Sequence, residues 1–177
     1  MRRVMVIDVS RCVGCEACVL ACKTENAVPE GAYRDWVTQE TRGEFPTLET
    51  VIQSQRCNHC TDAPCVANCP TGSSFYAADG TVQIDRDKCT GCRACIASCP
   101  YGARYLHPDG YVDKCSLCTH RLDRGEETAC QSICPTSAIA VGDLDDPRAE
   151  VTLRLRRGSA SVIHPEAGTH PNVFYVR

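Results

Sequence analysis

The sequence predicts an α+β fold built from one small unit used four times. Sixteen cysteines in 177 residues fall into four runs of four, with none left over. A short stretch of alternating, β-branched character precedes each run, which marks a strand. Three of the runs close on proline, which stops a helix. Strand, cysteine loop, short helix and turn therefore form an internal repeat.

The first strand is expected at 4–11 (VMVIDVSR), ahead of Cys12, Cys15, Cys18 and Cys22. The second, TLETVIQSQR at 47–56, leads into Cys57, Cys60, Cys65 and Cys69. The third, GTVQIDRDK at 80–88, leads into Cys89, Cys92, Cys95 and Cys99. The fourth, GYVDK at 110–114, leads into Cys115, Cys118, Cys130 and Cys134. Runs one and three are spaced C-x2-C-x2-C-x3-C, while run two opens its second gap to four residues and run four to eleven. Short helices are expected between the third and fourth cysteines, at 19–21 and 96–98. Pro70, Pro100 and Pro135 would end three of them, whereas Lys23 replaces proline in run one and leaves that turn open.

Three chemistries use cysteine at this density. Disulfide frameworks belong mostly to secreted chains under about 100 residues and lack this fourfold regularity. Structural zinc favours two C-x2-C pairs brought together, whereas each run here offers three close thiols and a fourth after a gap. A 4Fe–4S cluster fits better. Three closely spaced thiolates cap three corners of the cubane, and the C-x2-C-x2-C-x3-C-P run sends its fourth cysteine to the other cluster of a pair. Sixteen ligands then hold four clusters. Spacing alone leaves open which runs combine.

Only 6% of residues are aromatic and two are Met, so packing has few large side chains and bound clusters must help hold the fold. The net charge of −3 shows no basic excess, so no nucleic-acid partner is expected. Each cluster with its thiolates adds a formal charge of about −2, which takes the protein from −3 to about −11. A cation stands directly before each run, Arg11, Arg56, Lys88 and Lys114, placed to offset this charge and tune the potentials. His59 and His120 read as loop or interface residues, and His107, His164 and His170 as loops. Asp143, Asp145 and Asp146 read as a solvated turn. No Ser–His–Asp set, phosphate loop or supported carboxylate pair occurs, so no substrate chemistry is expected. Apolar runs such as VMVI at 4–7 fall far short of the ~20 residues that span a bilayer. Arg2–Arg3 resembles the start of a twin-arginine signal, but Asp8 and Arg11 interrupt the apolar residues after it, so no signal peptide is expected.

The order of the four spacings, together with CVGCEACVLACKTEN, CNHCTDAPCVANCPTG, CPYGARYLHPDGYVDKC, HRLDRG, GDLDDP and PEAGTHPNVFYVR, resembles the iron–sulfur electron-transfer subunit of the DMSO reductase family. Small subunits of polysulfide, thiosulfate and respiratory arsenate reductases are of this kind, and the resemblance covers essentially the whole chain. It implies two bacterial-ferredoxin-like domains, one nested in the other, with loop-rich connections. The outer domain would comprise 1–46 and 113–142, and the inner one 47–112. The cysteine-free segment 143–177, ending in the apolar NVFYV, is expected to be a docking tail. The resemblance also implies the ligand sets. Cys12, Cys15, Cys18 and Cys134 would hold one cluster, and Cys22, Cys115, Cys118 and Cys130 the second. Cys57, Cys60, Cys65 and Cys99 would hold the third, and Cys69, Cys89, Cys92 and Cys95 the fourth. With Cys92 present, all four are expected to be cubanes. The Cys12 cluster would face a molybdenum or tungsten bis-pyranopterin catalytic subunit, and the Cys89 cluster an integral membrane subunit that exchanges electrons with quinone.

The implied role is a non-catalytic relay, peripheral on the membrane within a complex. Co-export with a signal-bearing partner would place it on the periplasmic face, and a cytoplasmic complex fits the same sequence. A relay subunit of a hydrogenase or formate dehydrogenase, or a free polyferredoxin, are the alternatives. The eleven residues between Cys118 and Cys130, THRLDRGEETA, are too charged for a core and are expected to form a surface excursion that contacts a partner or shields a cluster.

Overall fold

The computed structural model describes residues 1–177. The chain runs β1 (Arg3–Asp8), α1 (Ala17–Glu25), β2 (Asp35–Arg42), β3 (Glu49–Arg56), α2 (Pro64–Ala67), β4 (Ser74–Tyr76), β5 (Val82–Ile84) and α3 (Ala94–Ala97). It continues through β6 (Arg104–Leu106), β7 (Val112–Lys114), α4 (Thr119–Leu122), α5 (Ala129–Ser132), β8 (Ile139–Asp143), α6 (Glu150–Arg157) and β9 (Val173–Val176). β1, β3, β5 and β7 occupy the four stretches whose pattern predicts strands. Each pairs with a strand that the pattern does not signal.

The central sheet has the order β8-β1-β9, with β8 antiparallel and β9 parallel to β1. Val4 to Ile7 are all buried because both faces of β1 are covered. Met5 and Ile7 pack with Val19, Leu117 and Tyr175 on one face. Val4 and Val6 pack with Ala140, Val151 of α6 and Val176 on the other. Each such burial contributes about 1.5–3 kcal/mol. Three two-stranded hairpins, β2-β3, β4-β5 and β6-β7, complete the strand structure.

The 46/47 and 112/113 borders fall inside hydrogen-bonded hairpins, β2-β3 and β6-β7, so neither is a linker. The segment expected to be a docking tail folds inward. Val173, Tyr175 and Val176 are buried, and the Tyr175 hydroxyl donates to the Ser54 carbonyl at 3.0 Å. An apolar strand beside β1 removes more surface from water there than it would at an exposed end. α6 is fastened too, because Arg154 donates to the carbonyls of Ala138 (2.9 Å) and Ser137 (2.8 Å).

Helices α2, α3 and α5 all end before the proline-marked cysteine, but α1 continues past Cys22 to Glu25. Lys23 permits this because it supplies the N–H that proline lacks. Its ammonium then closes the next turn on the carbonyls of Pro29 (3.1 Å) and Ala32 (2.6 Å).

Candidate iron–sulfur centres

The four loops share one backbone device. The residue before the second cysteine has positive φ in every run: Gly14 (69°), His59 (43°), Gly91 (65°) and Leu117 (57°). Left-handed residues in such loops turn successive N–H groups into an anion-binding concavity. The third cysteine is in each case the second residue of a helix: Cys18 in α1, Cys65 in α2, Cys95 in α3 and Cys130 in α5. The eleven-residue insertion of run four therefore delays its helix without changing the placement. It inserts α4 and an exposed turn at 123–127. It is pinned to the end of α1, where Arg121 Nη1 and His120 Nε2 each meet the Glu25 carboxylate at 2.7 Å.

None of the sixteen cysteines is in a disulfide. Cys12, Cys15, Cys18 and Cys134 line one cavity with Ile7, Val37 and Ile139. Cys22, Cys115, Cys118 and Cys130 line a second with Asn26 and Arg56. Cys69, Cys89, Cys92 and Cys95 line a third with Arg104 and Ser74. The remaining four lie together too: Cys60 and Cys65 pack in one buried cluster, Cys57 and Cys99 in another, and Tyr101 packs against both. Each group thus joins three cysteines of one run to one from another.

The donor set suits thiolates bound to iron. Backbone N–H groups point at sulfur: Ser74 at Cys69 (3.4 Å), Val112 at Cys89 (3.3 Å), Leu117 at Cys115 (3.4 Å) and Ala138 at Cys134 (3.3 Å). Burial pushes the Cys60 thiol up to about 11 and Cys115 up to about 12, and raises Cys18, Cys65, Cys95 and Cys118. At Cys69 burial is outweighed by N–H and hydroxyl donors from Ser74 and Thr71, and the thiol falls below its usual value. Burial alone would keep most of these sulfurs protonated, so deprotonation is coupled to the arrival of iron.

The four cations that precede the runs divide. Arg56 and Lys114 are buried, whereas Arg11 and Lys88 are exposed, the latter paired with Asp85 at 2.9 Å. Arg56 bonds Ser54 and faces Asp35 at 3.6 Å, with Cys130, Cys18 and Cys115 around it. Lys114 donates to the carbonyls of Val82 and Cys115. Two buried arginines lack a sequence signal. Arg34 forms a forked pair with Asp113, at 3.0 and 2.8 Å, and Arg104 donates to Cys65 Sγ at 2.9 Å. Neither adjoins the start of a run, and only the fold brings them inward. His59 lies in a loop, as expected, but is buried there: the Val82 N–H donates to its Nδ1, and burial with Lys114 and Arg104 nearby favours its neutral form. His120, also expected in a loop or interface, lies in α4 and is exposed. No helix is long and apolar enough to cross a membrane.

Strand-and-loop repeats that gather cysteines into groups of four, among inward N–H donors and buried cations, define a multi-cluster iron–sulfur protein. Family models described as 4Fe-4S dicluster domains match residues 48–144 and 11–73, and the chain is a member of this family. Two such domains hold four 4Fe–4S clusters, the number that sixteen cysteines supply. Several of its relatives are named as parts of reductases. The sequence is 39% identical to a subunit of tetrathionate reductase from Salmonella typhimurium, over 99% of this chain and 72% of the relative. It is 34% identical to the arsenate respiratory reductase iron-sulfur subunit ArrB of Shewanella sp., over 100% and 97%. It is 41% identical to a chain of polysulfide reductase from Wolinella succinogenes, over 97% and 92%.

Proposed function

We propose that the chain is the electron-relay subunit of a respiratory reductase complex, with the four cysteine groups described above as the four ligand sets. One observation carries this reading: the sites form a line that is open at both ends. Cys18 and Cys130 pack in one buried cluster, which puts the first group beside the second. Cys115 and Cys57 pack in another, which puts the second beside the third. Cys65 and Cys95 share a third, which puts the third beside the fourth. The second group is wholly buried, and the third nearly so, whereas the outer groups contain the two exposed cysteines, Cys15 and Cys92. Each bound cluster accepts and releases one electron. The protein keeps the middle of the line dry and presents each end to a partner. Runs one and four share the first two sites, and runs two and three share the other two. This supports one ferredoxin-like unit nested within another.

The relatives' names support a docked subunit over a free shuttle. By analogy with them, the partner at Cys15 is a molybdopterin catalytic subunit and the partner at Cys92 a membrane subunit, with the relay peripheral on the membrane. The relatives and the two open ends carry the case for docking. Anaerobic gel filtration of native extract, with metal analysis of the fraction containing this protein, tests the reading. A large species with molybdenum or tungsten and about sixteen irons per relay subunit is expected. A species near the 19.3 kDa of this protein alone would support a free shuttle, and nickel a hydrogenase.

A further inference from the structure

Arg104 and Lys114 face each other across the β6-β7 ladder, and both are buried. Like charges directly opposite one another weaken a strand pair, and a buried charge without a counter-ion is costly. Neither residue forms an ion pair, whereas Arg34 and Arg56 each meet a carboxylate. Lys114 is satisfied by two carbonyl oxygens. Arg104 points its guanidinium at sulfur. Its Nη2 donates to Cys65 Sγ at 2.9 Å, and its Nη1 to Ser74 Oγ at 2.7 Å. The Ser74 N–H donates in turn to Cys69 Sγ at 3.4 Å. Arg104 also lines the cavity of Cys69, Cys89, Cys92 and Cys95. Its contacts thus reach one cysteine of the third group and, directly and through Ser74, the cavity of the fourth.

We propose that Arg104 is a positioning residue shared by the third and fourth cluster sites, a single cation that serves as counter-ion to both. A reduced cluster carries one more negative charge than an oxidised one, so a fixed cation nearby favours the reduced form at each site. One residue acting on both sites shifts their potentials together, which keeps neighbouring steps of the relay matched. The inference rests on the four-cluster assignment. Wild-type protein without iron would end that assignment, whereas iron-replete variants with unchanged potentials would end this inference alone.

The test is a redox titration of the full chain, prepared anaerobically and followed by low-temperature paramagnetic resonance, with Arg104→Gln and Arg104→Lys beside wild type. In Arg104→Gln, two of the four potentials fall and two stay. Arg104→Lys keeps the charge but loses the forked geometry, so the same two move less. Arg148→Gln, at an exposed cation outside the cysteine runs, moves none. Four unchanged potentials in iron-replete Arg104→Gln, or a shift in one cluster only, would overturn the proposal. If the Gln variant binds no iron, the Lys variant decides: two shifted potentials support the shared role, and unchanged potentials overturn it. A Lys variant that also binds no iron would mark Arg104 as a fold residue and overturn it too.

Discussion

Gly91 illustrates how little freedom the cysteine loops have. Its φ is +65°, and a Cβ there would clash with the Gly110 carbonyl oxygen, in the turn that leads to β7. Gly72 has a similar φ of +66° but nothing within 4 Å. Gly72→Ala incurs only the left-handed strain, about 1–2 kcal/mol. Gly91→Ala adds a clash with backbone and is expected to lower the unfolding midpoint further, with loss of iron from the Cys89 site, as thermal melts and iron counts would show. Arg34 is the other sensitive residue. It ties the loop after α1 to Asp113 of β7, and Asp113 also accepts from the Tyr105 hydroxyl at 2.6 Å. Arg34→Met leaves a buried carboxylate short of its cation and is expected to cost about 3–5 kcal/mol in denaturant unfolding. Adding Asp113→Leu should recover part of it, because the lone charge is then gone.

At the scale of elements, run four poses the sharpest question. Its helix places Cys130 as α1, α2 and α3 place Cys18, Cys65 and Cys95, so the insertion is not needed for ligation. Thr128 is buried with its hydroxyl 3.4 Å from Cys130 Sγ, whereas 123–127 are exposed. Shortening the segment between Cys118 and Cys130 to Thr128 and Ala129 is expected to leave the iron content near normal and to weaken association with the partner subunit. Co-purification and iron analysis read both. Loss of the Cys22 cluster with assembly intact would contradict the partner-contact role. The later elements serve the core, since β9 completes the central sheet and α6 covers its outer face.

For the whole molecule, the core is of two kinds. The cluster of Val4, Val6, Ala140, Val151 and Val176 contains no cysteine. In the inner half, three of six buried residues in one cluster, and two of three in another, are cysteines. There the iron–sulfur groups stand in for apolar packing, so binding them is part of folding. Anaerobic removal of iron by a chelator is expected to expose 57–115 to hydrogen exchange first, with 3–8, 139–157 and 173–176 the last to lose protection. Uniform loss throughout would show that the sheet cannot stand without the clusters.

Local spacing carries local geometry, and for that reason the sequence by itself determined the ligand chemistry, the fourfold repeat, four of the strands and the helix breaks at proline. β4, β6, β8 and β9, at three to five residues, are too short to show a clear period, and β2 turns polar and exposed along its second half. Only the tertiary structure decided what depends on distant partners. The register of β8 on β1 brings Cys134 into the cavity of Cys12, and the hairpin β6-β7 carries Arg104 inward. The same holds for the tail, whose apolar residues read as an exposed docking end until β1 is seen to lie beside them. A hydrophobic strand and a hydrophobic docking surface are alike in sequence, and which one forms depends on whether the rest of the fold covers it.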